Sequence, residues 1–454
     1  MTLISLLGIA RSALLTHQRA LDVTGHNVAN AMTPGYSRQQ LDLAAAVPSE
    51  SPWGPLGRGV TDAGVTRVRD WLHDATVRRE TGLLGHSQTL GTHLGQVEAA
   101  INEPSEYGIA ASLDGLFNAF SELANDPSSS VHRGLVRQNA SRLVDQLHLL
   151  DENLVETGRN ALAEMNATVD DVNRIASEIA SLNQLILSSG GPNNSAPDLE
   201  DQRDILIDQL SESMGVRVLQ RDDGTVGVAA GDTLLVDGGM AQTLEVRALA
   251  GGGTGIGVVG GSDVDPRSGS LLALAEVLNV ELPGLRANLD QFAAALVTEV
   301  NAIHNSGFTA TGATNVDFFD PAGVTAHTIA LSAAVQSSAD EIAAGGTTAA
   351  GDGDVALQIA ALRSTSIASL GGTSMGDFYT STVTSFGSRV LDVQQNAAVH
   401  QTLVDRAETV RASSNGVNVD EEMVMLIAQQ QAFAAAARLV TVADEMVTEI
   451  LRMV

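Results

Sequence analysis

Thr24 to Gln40, TGHNVANAMTPGYSRQQ, closes an apolar helical pattern with an Asn-flanked segment and then with Pro34-Gly35. Proline cannot continue a helix, and Pro-Gly makes a turn, so the helix is expected to end near Ala31. Toward the N-terminus, Leu3, Leu7, Ala10, Leu14, His17, Leu21, Thr24 and Val28 alternate steps of four and three, with His17 and Thr24 as polar interruptions. That is a heptad seam on a helix of about 28 residues and about 42 Å. A seam needs a partner. The plain alternative is a surface helix resting on a globular core.

A second seam occupies the C-terminus after Ser414-Asn415-Gly416. Val419, Met423, Leu426, Gln430, Phe433, Ala437, Val440, Asp444, Val447, Leu451 and Val454 again alternate four and three, with Gln430 and Asp444 as the polar exceptions. Two heptad helices at opposite ends, with helical and then β-rich sequence nested between them, predict an elongated, hairpin-like chain. The expected fold is mainly α: paired N- and C-terminal coiled-coil helices, a helical bundle in the middle and a small β domain at the tip.

Between the seams, Leu41, Leu43, Val60, Val65 and Val68 suggest an extended segment and a short strand near 64–69. Helices are expected from Asp70 to about Ser189, broken at the turn clusters 102–104, 125–129 and 188–192. Asp198-Leu199-Glu200-Asp201-Gln202-Arg203-Asp204 opens another helix with acidic residues in its first turn, where the helix dipole favours them. The period then becomes two around the turn Asp222-Asp223-Gly224, a hairpin signal. Helical spacing returns at Leu271, is interrupted at Pro283, and ends near His304. After a Gly, Thr and Ala-rich stretch it resumes at Val355, breaks at Gly371-Gly372 and continues from Phe378 to about Ser413. The domains expected are 1–40 with 415–454 as a terminal assembly domain, and 41–214 with 263–305 and 355–414 as a long-helix bundle. Residues 215–262 form a β-rich outer domain, and 306–354 a loop and β-rich insertion.

Composition narrows the function classes. A formal net charge of -29 and the absence of a basic patch exclude a phosphate-binding surface, hence nucleic acid. All 25 basic residues are Arg, and cysteine is absent, which removes disulfides, thiolate metal sites and thiol nucleophiles together. Met1 to Ala31 lacks the pattern of a cleaved secretory signal, and no uninterrupted run reaches the roughly 18 apolar residues of a membrane span, the nearest being Met423 to Val442.

Asn27-Val28-Ala29-Asn30 and Thr33-Pro34-Gly35-Tyr36-Ser37-Arg38-Gln39 resemble the N-terminal signature of bacterial flagellar rod, hook and hook-associated proteins. The C-terminal stretches Val417 to Met423, Gln429 to Phe433 and Ala443 to Met446 resemble the C-terminal signature of the same family. Internal stretches also resemble the hook-associated members: Gly57-Arg58-Gly59-Val60 with Arg67 and Asp70, Asp201-Gln202-Arg203-Asp204, and Val300-Asn301 with His304 and Phe318-Phe319. Gly25-His26 and Phe433 depart from the usual pattern, the latter where Tyr is usual.

The resemblance implies a secreted structural protein exported through the type III channel and polymerising as the junction zone between hook and filament. It implies self-association in a ring or short helical array, hook protein below, the next hook-associated protein above, and an export chaperone for the C-terminal helix. It places assembly contacts on Leu3, Leu7, Leu14, Leu21, Asn27, Val28, Asn30, Pro34, Gly35, Tyr36, Ser37, Arg38 and Gln39, and on Met423, Leu426, Phe433, Val440, Val447 and Leu451. A hook or distal-rod subunit is the alternative within the class.

No enzymatic site is expected, and no cofactor or metal. Gly255 to Gly260 fits GxGxxG but lacks the helix that must begin within it. His86 with His93, and Asp263 with Asp265, lack a third ligand. Glu421-Glu422 reads as ordinary charge at a helix head. A peptidoglycan hydrolase on an axial scaffold would need aromatic subsites and separated carboxylates, and 215–353 is poor in aromatics.

Overall fold

The computed structural model describes residues 3–48, 50, 54–189 and 196–453, without the side chains of residues 3 and 4. The chain starts with α1 (Leu3–Asn30) and an antiparallel hairpin of β1 (Gln39–Ala45) and β2 (Val60–Arg67). Extended sequence on both sides of 50 thus becomes two paired strands, packed against α1. Three helices follow: α2 (Trp71–Ile101), α3 (Ile109–Asn125) and α4 (Ser130–Ser188). Their ends have local causes. Asp70 accepts the Leu72 N–H, Asn102 closes α2 in the left-handed region, and Ser129 accepts the His132 N–H. At 59 residues α4 is about 88 Å long and sets the long dimension of the bundle. The turn expected at 188–192 falls at 190–192 outside the described residues.

After α5 (Pro197–Ser213) come two small antiparallel sheets. β3 (Val216–Gln220), β4 (Val226–Ala230), β5 (Thr233–Asp237) and β6 (Met240–Ala241) lie in that order, and β7 (Leu244–Ala248), β8 (Thr254–Val258) and β9 (Asp263–Val264) form the second. The GxGxxG match lies on β8 and the turn after it, with no helix.

The helical run then returns as α6 (Ser270–Glu276), a π turn (Val277–Glu281) and α7 (Leu282–His304). The expected interruption at Pro283 does not occur. The ring of a helical proline collides with the carbonyl four residues back, here that of Asn279, and the wide π turn relieves this. Beyond α7, residues 306–353 are mostly irregular, with a short α8 (Ala333–Ser337). Then come α9 (Asp354–Ala361), α10 (Met375–Asn415), which starts three residues before the expected Phe378, and α11 (Val419–Met453).

One continuous apolar core runs through the bundle from Leu90 and Leu94 on α2 to Val390 and Val393 on α10. Phe117, Phe120, Phe292, Phe318 and Phe319 are its largest fully buried side chains. At such burial each contributes roughly 1.5–3 kcal/mol.

The extended segments have no neighbouring strand on the side that faces a helix, and one device recurs there. A helical Asn sets its side-chain amide against both peptide groups of a single extended residue. Asn173 bonds Leu244 N–H and C=O at 2.7 and 2.9 Å, and Asn183 bonds those of Val226 at 3.1 and 2.9 Å. Asn279, on the π turn, holds Thr254 at 2.7 Å on both sides. Asn301 holds Phe319 at 2.9 Å on both sides and also takes the Phe318 N–H. Each clasp satisfies backbone groups that burial would otherwise leave unpaired.

His304 completes the attachment of 306–353. Its Nδ1–H donates to Val316 O at 2.6 Å and its Nε2 accepts the Ala343 N–H at 2.8 Å, which fixes a neutral ring. Burial depresses its pKa from 6.5 to about 4. Because the folded value lies below the unfolded one, the contribution is complete above pH 6.5 and is lost as pH falls toward 4. A loss of at most about 3 kcal/mol is expected over that window. Thermal unfolding and Ala343 amide exchange from pH 7 to pH 4 check this. Unchanged Ala343 protection at the acid end would refute it.

Candidate functional site: where the two ends of the chain meet

α1 and α11 pack along one another over much of their length. On α1 the seam in contact keeps Ala10, His17 and Thr24 of the heptad read from the sequence, whereas on α11 it is shifted by one residue. On α11 the positions facing α1 are Glu422, Gln429, Ala436 and Ala443, a heptad lying one residue before Met423, Gln430, Ala437 and Asp444. On α1 the buried positions are Ala10, Thr16, Ala20, Thr24 and Asn27. Small residues let the helices approach closely, while polar ones meet as rungs, His17 Nδ1 lying 2.7 Å from Gln429 Oε1.

The large residues flank this seam. Leu14, Leu21, Val28, Leu426, Val440 and Val447 are partly covered, whereas Leu7, Met423, Phe433 and Leu451 face outward. The side chain of Leu3, and Val454, lie outside the described residues. By length and composition, the stretch 375–453 contains one window apolar enough to cross a membrane, in contrast to the reading from uninterrupted runs; that window is only 6% buried.

The lower end of the pair is locked by Asn27, which makes the fifth amide clasp. Its Oδ1 accepts the Gln39 N–H at 2.9 Å and its Nδ2 donates to Gln39 O at 2.8 Å. The same Oδ1 accepts the Tyr36 hydroxyl at 2.8 Å, and Nδ2 also reaches Glu422 Oε2 at 3.0 Å. Glu422 is 2% exposed and binds Arg38 Nε at 2.7 Å through its other oxygen. It was legible only as a helix-head charge, but it closes the contact between the ends. Arg38 N–H donates to Asn415 O at 2.9 Å, so the turn also touches the hinge between α10 and α11.

Asn30 donates to His26 O and accepts from Thr33, holding the helix end. Pro34 is exposed in the turn that follows. Gly35 has φ +78°, and a Cβ there would stand 2.5 Å from Ile205 Cδ1 of α5. Burial, then the charges of Asp198, Asp201 and Glu422, raise the pKa of Tyr36 well above the usual phenol range.

Ser37 passes the chain to the bundle through a buried ionic network. Its N–H and Oγ–H donate to Asp201 at 2.9 and 2.7 Å. Arg67 reaches Glu200, Asp201 and Asp204 at 2.7–2.8 Å, and Arg69 holds Asp74 with two bonds. Arg78 spans Asp204 and Asp208, and Arg411 of α10 meets Asp208 at 2.5 Å. Gln39 adds a bond to Asp198 at 2.8 Å.

Asp201, Asp204 and Asp208 share one face of α5, so their main role is to receive arginines from β2, α2 and α10 rather than to complement the helix dipole. Burial alone would raise the Asp204 pKa, but Arg69, Arg67, Arg78 and Arg203 outweigh it and hold it at about 2. The hint in the sequence was the Asp spacing in α5, which needed the distant arginines to be read. His86 and His93 pair with Glu276 and Glu164, and among the described residues no cluster could hold a metal.

Three family models match the chain: the flagellar hook-associated protein FlgK helical domain over 94–319, the flagella basal body rod protein over 7–36, and the flagellar basal body rod FlgEFG protein C-terminal region over 412–453. Paired ends around a nested bundle thus define a flagellar axial protein. Flagellar hook-associated protein 1 of Bacillus subtilis is 30% identical over 97% of this chain and 96% of its own. The Salmonella typhimurium protein of that name is 29% identical over 69% of this chain and 59% of its own length. The flagellar hook junction protein FlgK from Burkholderia pseudomallei shares the fold, with a TM-score of 0.66 at 15% identity, covering 75% of this chain and all of that one. The chain belongs to the flagellar hook-associated protein 1 family, structural components of the bacterial flagellum at the hook–filament junction.

Asp201→Ala should leave Arg67, Arg69 and the Ser37 N–H without their shared acceptor, at a cost of about 3 kcal/mol. Amide exchange should show Ser37 losing protection while Leu147 in the bundle core keeps its own. Equal loss at both would mean that the network supports the whole fold rather than the attachment of the ends.

Proposed function

We propose that this chain leaves the cell through the flagellar type III export channel and then polymerises with copies of itself, its terminal helices forming the inner layer of a ring or short helical array. The observation that carries this reading is the uncovered apolar face of α11. Met423, Val424, Ile427, Phe433, Leu439, Val442, Met446 and Leu451 are all exposed beside a seam made of alanines and polar residues. Pairing with α1 buries the smaller side of the helix and leaves the larger for neighbours, at roughly 1.5–3 kcal/mol for each large side chain that is then covered.

On this reading residues 1 to about 35 and about 415 to 454 become fully ordered only on assembly, because long amphipathic helices without their apolar partners are marginal in water. Hook protein and the next hook-associated protein are the neighbours along the axis. An export chaperone that holds the C-terminal helix would shield the same face before export. The relatives are flagellar hook-associated proteins, and on this reading the assembly contacts between copies fall to residues 1–40 and 415–454.

Deletion in the source bacterium tests the function: hooks should form normally while filament subunits are lost to the medium. Hooks that fail to form would favour a hook or rod subunit instead. Within the chain, Gly35→Val meets both a positive φ and Ile205. It should leave the bundle folded, with unchanged far-ultraviolet circular dichroism, yet lower incorporation into isolated hooks by at least about tenfold, equivalent to about 1.4 kcal/mol. Normal incorporation would remove the role given to the turn.

A further inference from the structure

We infer that the outer edge of β3, with the groove beside it that Arg203 and Arg217 line together with the ion-paired Arg67, Arg69 and Arg78, receives an extended acidic segment from a second copy of this chain. The inference deepens the junction reading, since it takes copies to lie side by side. β3 is the end strand of its sheet. The turn at 222–224 fixes which of its backbone groups are free. Arg221 N–H donates to Thr225 O at 3.2 Å and Gly224 N–H to Arg221 O at 3.1 Å, so Arg221 bonds inward. By antiparallel alternation Leu219 and Arg217 also bond inward, to Gly227 and Ala229. Val218 and Gln220 therefore present N–H and C=O outward, and no described residue hydrogen-bonds them there. Such an edge is a template for an added strand.

A groove of about 790 Å³ adjoins it, with Trp71 and Arg78 of α2 among its walls. Arg203 lines it, is 4% exposed, and has an Nε–H without a partner. Arg217 is exposed at its rim, and among the described residues no carboxylate lies within ion-pair distance. Trp71 is 67% exposed and offers an apolar face.

The charge of the chain selects the occupant. Copies with 54 acidic and 25 basic residues repel one another, so a contact between them is favourable where carboxylates meet guanidinium groups. Arg217 admits an acidic strand and repels a basic one. The occupant is thus an extended segment of a neighbouring copy with a carboxylate for Arg217 and an apolar side chain for Trp71.

The chain has no cysteine, so Gln220→Cys carries a single attachment point for a short photo-crosslinker. Labelled copies are co-expressed with epitope-tagged ones in the source bacterium, and junctions are isolated and irradiated. The result expected is a crosslinked dimer joining position 220 to an Asp- or Glu-bearing segment of a tagged copy. Its yield should fall about tenfold in Arg217→Glu and in Val218→Pro, which removes an outward N–H without breaking a ladder bond. Crosslinks to a different protein, no crosslink in normal junctions, or undiminished yield in both variants would overturn the groove inference alone. A tagged chain absent from isolated hooks would overturn the junction reading, and this one with it.

Discussion

A side-chain amide that satisfies both peptide groups of one extended residue is the interaction on which this architecture depends. A chain made mostly of long helices must still attach strands and turns to helix flanks, where no neighbouring strand can complete their hydrogen bonding. Asn is short enough to be held rigidly on a helix, and its carbonyl and amino groups match the C=O and N–H of one residue. The five clasps lie at the places where non-helical chain meets helix: Gln39 at the paired ends, Val226, Leu244 and Thr254 in the two sheets, and Phe319 in the irregular segment. Removing any one amide would leave at least two backbone groups to be satisfied by water or by distortion.

The buried arginine and aspartate network serves the same end by other means. It collects β2, α2 and α5 around Asp204 and ties in α10 through Asp208, so the hairpin that follows the N-terminal turn is fixed to the bundle. Buried ion pairs add little net stability over well-packed apolar residues, but they tolerate few alternative arrangements. Here they define the point at which the paired ends stop and the bundle begins.

Much of this was legible in the sequence because the governing patterns are local. The heptads of α1 and α11, the hairpin at Asp222-Asp223-Gly224 and the helix stop before Pro34 depend on spacing and on turn chemistry within a few residues. On α11 the contacting face was offset by one residue for a physical reason, while on α1 Ala10, His17 and Thr24 lie where the heptad put them. Leu, Met and Phe dominate a hydrophobic pattern, whereas the inner seam selects Ala, Gln and Glu for closeness and hydrogen bonding. Glu422 and Asp201 were equally hidden, since a buried carboxylate is defined by arginines far away in the sequence. The π turn escaped because Pro283 signals a break, and only the structure reveals that the helix widens instead.

The polar rungs between α1 and α11 have a mechanical consequence. Apolar side chains in a seam can exchange neighbours as two helices slide, so the resistance to axial displacement is spread thinly. His17 with Gln429, and Asn27 with Glu422 and Arg38, are directional contacts lying across the seam near its middle and one end. Sliding the helices by a single residue breaks them together. Under torque passed along a rotating axis, the pair would therefore hold its register up to a yield point and then slip in steps, as a ratchet does, rather than creep.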